Sequence, residues 1–170
     1  MRYVSAVALF LFVGNADAAI IAATNFDGRN VAGATASNIN WTVNGVADPG
    51  NITASHALFD TADAQNKFAV HHNIGIAPLT PWTANIALNV GASAISLTNV
   101  TLNAYIINGA GIFQTVGRDL DMSVLLLDAG LNLISTTTIN NIYTHGGAIV
   151  QPQNANFDLS GNTLSANTNY

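Results

Sequence analysis

The feature that most constrains this chain is the spacing of its apolar residues, which repeats every two positions rather than at the helical spacing of about 3.6. Over 85–90, Ile86, Leu88 and Val90 share one face and Asn85, Ala87 and Asn89 the other. Phe68, Val70 and His72 fall on one face in the same way. Ile95 and Leu97, then Val100, Leu102, Ala104 and Ile106, alternate with Ser96, Asn99, Thr101, Asn103 and Tyr105. The phase slips at Thr98-Asn99, which predicts a bulge or bend there. Leu120, Met122, Val124 and Leu126 alternate, followed by Leu131, Leu133 and the Thr136–Ile139 run. Ala155, Phe157 and Leu159 alternate with Asn156, Asp158 and Ser160.

Turn signals punctuate these runs: Asp27-Gly28, Asn44-Gly45, Asp48-Pro49-Gly50, Pro78 to Pro81, Asn108-Gly109, Ala129-Gly130, Gly146-Gly147 and Ser160-Gly161. Leu125 to Leu133 reads as a hairpin turning at Asp128-Ala129-Gly130. Short strands with regular turn signals predict an all-β fold, a two-sheet antiparallel β-sandwich of jelly-roll type. Asp60 to Gln65 is the one stretch that suits a single helical turn.

Composition agrees. Charged residues make up 8% of the 170 residues; the 9 acidic ones are all Asp, and Lys67 is the only lysine. Long helices lack the Glu, Lys, Arg and Gln that favour them. Four basic residues cannot neutralise a phosphate track, so nucleic acid is excluded as a partner. With 49% hydrophobic residues the chain can bury a core. There is no Cys, hence no thiol catalysis, Cys-based zinc site or disulfide. The outward positions are Asn, Thr and Ser, which solvate by hydrogen bonding and leave edge strands short of protective charge.

The first residues read as a secretory signal. Arg2 supplies the positive region, Val4 to Val13 is an apolar run broken only by Ser5, and Ala16-Asp17-Ala18 suits cleavage before Ala19. The run is too short to span a bilayer, which takes about 20 residues, and no other stretch is longer. The expected organisation is a signal peptide over 1–18 and one β-sandwich domain over 19–170. Cleavage removes one charge of each sign, so the net charge stays at −5. Leu159 to Tyr170 reads as a strand, a turn and the start of a further strand, so the domain is expected to be C-terminally truncated.

Candidate sites are few. His71 and His72 are adjacent on a strand and point to opposite faces, and His56 and His145 are far away in sequence. No catalytic residue and no organic cofactor is expected. Calcium is the one metal that the Asp and Asn content suits, with Asp27, Asp60 and Asp63 as candidate oxygen ligands. Asn154-Ala155-Asn156-Phe157-Asp158 has the opening spacing of an EF-hand, but the sixth position is Leu159 and the twelfth Ser165, so it reads as the wet face of a strand. Asp119 and Asp121 flank Leu120 and read as a surface cluster at a strand start. Trp82, after Pro81 in a predicted loop, and Tyr143 are candidates for stacking on the apolar face of a sugar; either could equally cap the core. Trp41, sharing a face with Ile39 and Val43, reads as core.

Two stretches together, Thr24-Asn25-Phe26-Asp27-Gly28-Arg29 with Ala36 to Gly50, and Leu58 to Val70, resemble exported bacterial proteins of the PEP-CTERM type. The resemblance implies a secreted β-rich body followed by a Pro-Glu-Pro tag, a transmembrane helix and a basic tail, handled by an exosortase. The tag does not occur within these 170 residues. No catalytic or binding residue is implied.

The expectation is a non-enzymatic, exported β-sandwich protein of the cell surface or extracellular matrix, with polysaccharide or other surface proteins as partners. The alternative is a carbohydrate-binding module, stacking sugar on loop aromatics, with calcium as the metal that could stabilise it. A second alternative is a polysaccharide-acting enzyme using an Asp pair.

Overall fold

The computed structural model describes residues 2–13, 19–26, 30–55, 68–73, 83–108, 112–116, 119–144, 146–148 and 150–170, with the backbone alone for 2–13, 19, 68–73 and 107–108. The strands are β1 (Arg2–Val13), β2 (Ala19–Thr24), β3 (Asn30–Ala32), β4 (Thr35–Ser37), β5 (Thr42–Val43), β6 (Ala47–Ala54), β7 (Phe68–Asn73), β8 (Ala84–Val90), β9 (Ile95–Asn108), β10 (Leu120–Leu127), β11 (Leu133–Tyr143), β12 (Gln153–Asp158) and β13 (Thr163–Leu164). The fold is all-β, as the alternation predicts, and every strand pair is antiparallel.

One sheet runs β12-β9-β1-β2-β5, with β13 also on β9 and β7 on β1; a second runs β3-β4-β6-β8; β10 and β11 form a separate hairpin. The main core cluster draws on both larger sheets: Ile21 from β2, Val100 and Leu102 from β9 and Phe157 from β12 gather with Ala47, Leu88 and Val90 from β6 and β8. Met122, Val124, Leu126 and Ile139 of the hairpin pack on this cluster while remaining half-buried. Side chains such as Phe157 and Leu164 are fully buried, each worth about 1.5–3 kcal/mol of transfer free energy. Trp41 bridges this core and a smaller one around Phe26, Ala36 and Ile52, and its indole N–H donates to the Gly50 carbonyl at 3.3 Å.

The phase slip at Thr98-Asn99 is a bulge. Phe12 pairs with Asn99 and Val13 with Leu97, so Thr98 is skipped. The extra residue lets Leu97 and Val100 both reach the core. The Thr98 carbonyl accepts from the Leu159 N–H at 2.8 Å, and the Asn162 carbonyl accepts from Leu97 N–H at 2.9 Å. Asn44-Gly45 and Ser160-Gly161 turn as expected, each with its glycine at positive φ (85° and 84°).

Two local expectations need correction. Asp48-Pro49-Gly50 is not a turn but part of β6, with Asp48 opposite Asn89 and Pro49 opposite Leu88. Strand β4 reaches only Ile52 and Thr53 of β6, so Pro49 needs no donor on that side, and the register shifts between Pro49 and Ile52. The hairpin loop is longer than Asp128-Ala129-Gly130, and Leu131 lies in it rather than on a strand. The residue at positive φ is Leu131 (63°), not Gly130. The strand, turn and further strand read over Leu159 to Tyr170 are seen: Thr163–Leu164 join β9, and Leu88 and Tyr170 exchange backbone hydrogen bonds of 2.9 and 3.0 Å.

The apolar run of the leader-like segment forms β1, paired with β9 from Tyr3↔Asn108 to Val13↔Leu97. The suggested helical turn over 60–65 lies outside the described residues. Among the described residues no helix is long and apolar enough to cross a membrane.

Candidate functional site

The chain gathers its most distinctive surface where β9 and β11 end and β10 and β12 begin. Two loops meet there, 112–116 and the segment between Tyr143 and Gln153, joined by a bridge between Val116 and Ala148. The Gln151 side chain holds both loops to β9. Its Oε1 accepts from Ile106 N–H at 2.7 Å, and its Nε2 donates to the Ile106 carbonyl at 3.1 Å and to the Gln114 carbonyl at 2.6 Å. A primary amide offers the same donor–acceptor pair as a peptide group. Gln151 therefore extends the β9 ladder beyond the first β12 pair, Gln153 with Ala104. The intervening Gln151-Pro152 bond is cis.

A cavity of about 250 Å³ opens between these elements, lined by Ile142, Tyr143, Thr144, Gly147, Ala148, Val150 and Gln153. Beside it the loops expose Ile112, Phe113, Val116 and Val150, the last 77% exposed. Phe113 stacks on Tyr105 of β9, ring centroids 5.3 Å apart and planes 23° from parallel. Among the described residues, none that lines the cavity carries a carboxylate, amine, guanidinium or imidazole. Such a wall binds by shape, apolar contact and neutral hydrogen bonding.

Tyr143 is at this site but not as a stacking platform. It is 2% exposed. Its hydroxyl donates to the Ala104 carbonyl at 2.7 Å and accepts from Gln153 N–H at 3.2 Å. Burial raises its pKa above the usual 10.0, against the Gln153 N–H, which favours the ionised form; the neighbouring Tyr105 adds to the rise. The phenol is thus a strut tying β11 to the start of the β9–β12 pairing, and no ring face is left for a sugar. Trp82, Asp27, Asp60 and Asp63 lie outside the described residues. Among the described residues no three His, Asp, Glu or Cys side chains converge as a metal site.

The strand 154–158 has its wet face as read from the alternation. Asn156 Oδ1 accepts from Asn99 Nδ2 at 2.7 Å and from Thr101 Oγ1 at 3.2 Å. Asp121 accepts from Asn141 N–H at 2.7 Å, so this carboxylate serves its own hairpin.

Sequence reasoning missed Phe113 and Gln151. Phe113 follows Gly111 in a loop, the same signal that singled out Trp82 after Pro81. Gln151 has no local signal, because its partners on β9 are 45 residues away in sequence.

Compared with protein-family models, curated proteins and solved structures, the chain matches none.

Proposed function

We propose that this is a non-enzymatic, exported β-rich protein of the cell surface or extracellular matrix, its two larger sheets packed as a jelly-roll-like sandwich. On this reading its loop end makes the contacts. The observation that carries the interaction role is the set of exposed apolar side chains Ile112, Phe113, Val116 and Val150 on the two loops that Gln151 ties to β9, with Val150 also lining the cavity. Apolar side chains gathered on loops cost solubility, and their retention suits a surface used for binding. The leader-like 1–18 segment supports export, and the resemblance to PEP-CTERM proteins supports surface sorting.

The test of export is a reporter fusion with fractionation. Recovery outside the cytoplasm, starting at Ala19, is the expected result; a purely cytoplasmic protein rejects the reading. Surface sorting is tested by the coding sequence past Tyr170, where a Pro-Glu-Pro tag, an apolar helix and a basic tail are expected.

A second reading, neutral carbohydrate recognition, is favoured by the Tyr105–Phe113 pair next to a cavity of about monosaccharide size. A glycan array probes it. Binding that Phe113→Ala abolishes and Val124→Ala spares supports this site; binding lost only with Trp82→Ala moves it to the other loop. No binding to any glycan removes the reading.

A further inference from the structure

Strand β10 is an eight-residue strand that, among the described residues, is paired on one side only. Among the described residues its single partner is β11, and the other edge meets no strand. Natural sheets guard such edges with Lys, Pro, a bulge or shortness. From Met122 to Leu126 this edge has none: the residues are Met, Ser, Val, Leu and Leu, in unbroken register with β11. Its core-facing side chains, Met122, Val124 and Leu126, remain half-buried, and Leu125 on the outer face is exposed. Among the described residues, both apolar surface and backbone hydrogen-bonding capacity are therefore left over along the same edge.

We propose that β10 is a homotypic pairing edge, on which a second copy of this chain adds its own β10 antiparallel about a two-fold axis at Val124. The strand is self-complementary in that arrangement. Met122 lies opposite the second copy's Leu126 on the inner face, and Ser123 opposite its Leu125 on the outer. Charge selects the same register. The chain carries a net charge of −5, so two copies repel at a distance. The one carboxylate of the strand, Asp121, falls opposite Leu127 of the second copy rather than opposite itself, and is already engaged by Asn141 N–H. Two hairpins joined in this way form a closed four-stranded sheet, an isologous contact that stops at two copies.

The chain has no cysteine, so single cysteines report this geometry cleanly. Cα atoms directly opposite in an antiparallel pair are about 4.5–5.5 Å apart, within the range a disulfide bridges. Val124→Cys in the full chain is expected to cross-link to itself on mild oxidation. Leu131→Cys, at the hairpin tip and off the axis, is expected not to. Sedimentation of the unmodified full chain is expected to show a dimer. The double variant Ser123→Lys, Leu125→Lys sets like charges opposite one another on the outer face and should weaken association about tenfold or more. Circular dichroism reports whether that variant keeps its fold; if it does not, the cysteine pair decides. A monomer at high micromolar concentration overturns the proposal. So does cross-linking of Leu131→Cys equal to that of Val124→Cys, a folded Lys variant that still dimerises, or open-ended fibres in place of a dimer.

Discussion

At the scale of single residues, the informative positions are those where a side chain does a backbone's work. Tyr143 satisfies a carbonyl of β9 and an amide of β12 with one hydroxyl. Tyr143→Phe keeps the ring and strands both groups, so it should cost about 1–3 kcal/mol, read as a lower urea midpoint at unchanged slope. Its raised pKa has a signed consequence. The group's contribution is intact below the unfolded value near 10 and is lost as pH rises through the folded pKa. The phenylalanine variant should therefore have a shallower alkaline limb in its stability curve. Leu131 is the opposite case. It holds φ 63° and is 77% exposed, so it has neither the conformational freedom nor the burial to justify a leucine. Leu131→Gly should stabilise the hairpin, by about 0.5–1 kcal/mol, seen as a higher thermal midpoint. Neither role was legible in the sequence. Tyr143 depends on strands contributed from 39 residues away. Leu131 takes the positive φ although Gly130 is right beside it, and its position in the alternation read as strand. Asn38, Asn141 and Asn167 do follow the rule, as Asn tolerates positive φ.

At the scale of elements, the hairpin β10–β11 shows how a turn is stabilised without a glycine at the left-handed position. Asp128 accepts with Oδ1 from Gly130 N–H and Asn132 N–H, both at 2.8 Å, and Asn132 Nδ2 reaches Oδ2 at 2.9 Å. The Asn132 side chain above all, with the Asn132 and Gly130 amides, holds the Asp128 carboxyl below its usual 3.8. Asp158 is lowered likewise by Ser160, side chain first and then backbone. For a depressed carboxylate the stabilisation is complete above the unfolded pKa and disappears as pH falls through the folded one. Both turns should therefore loosen only below about pH 4. The amide signals of Asn132 and Ser160 should titrate there with midpoints below 3.8. Asp128→Ala should abolish the first titration and leave the second. The period of two made the strands legible because half of each strand faces the core, and it located the bulge at Thr98 because two core residues there are three apart. It misplaced Asp48-Pro49-Gly50, since a turn composition is a local signal while the β8 pairing that absorbs Pro49 is not.

At the scale of the whole molecule, one segment has the composition for two different uses. Arg2–Val13 has the charge and apolar run of a leader, and as β1 it lies between β9 on one side and β2 and β7 on the other. The coincidence has a physical basis: a short, uncharged run of Val, Ala, Leu and Phe suits a buried strand as well as a signal core. The two uses exclude each other in time. If the chain is cleaved before Ala19, the edge of β9 from Leu97 to Asn108 loses its partner strand and keeps β12 and β13 on the other side. A bare edge of that length is costly in hydrogen bonds and exposed to aggregation, so cleavage would require β2 and β7 to close onto β9. Amide exchange of residues 19–170, compared with that of the full 1–170 chain, reads this directly. Protection of alternate β9 amides from Leu97 to Asn108 in both forms is the expected outcome, with the processed chain unfolding at lower urea. If those amides exchange freely in residues 19–170 while the 1–170 chain protects them, β1 has no substitute. The N-terminal segment is then retained in the folded protein, and the export reading loses its cleaved leader.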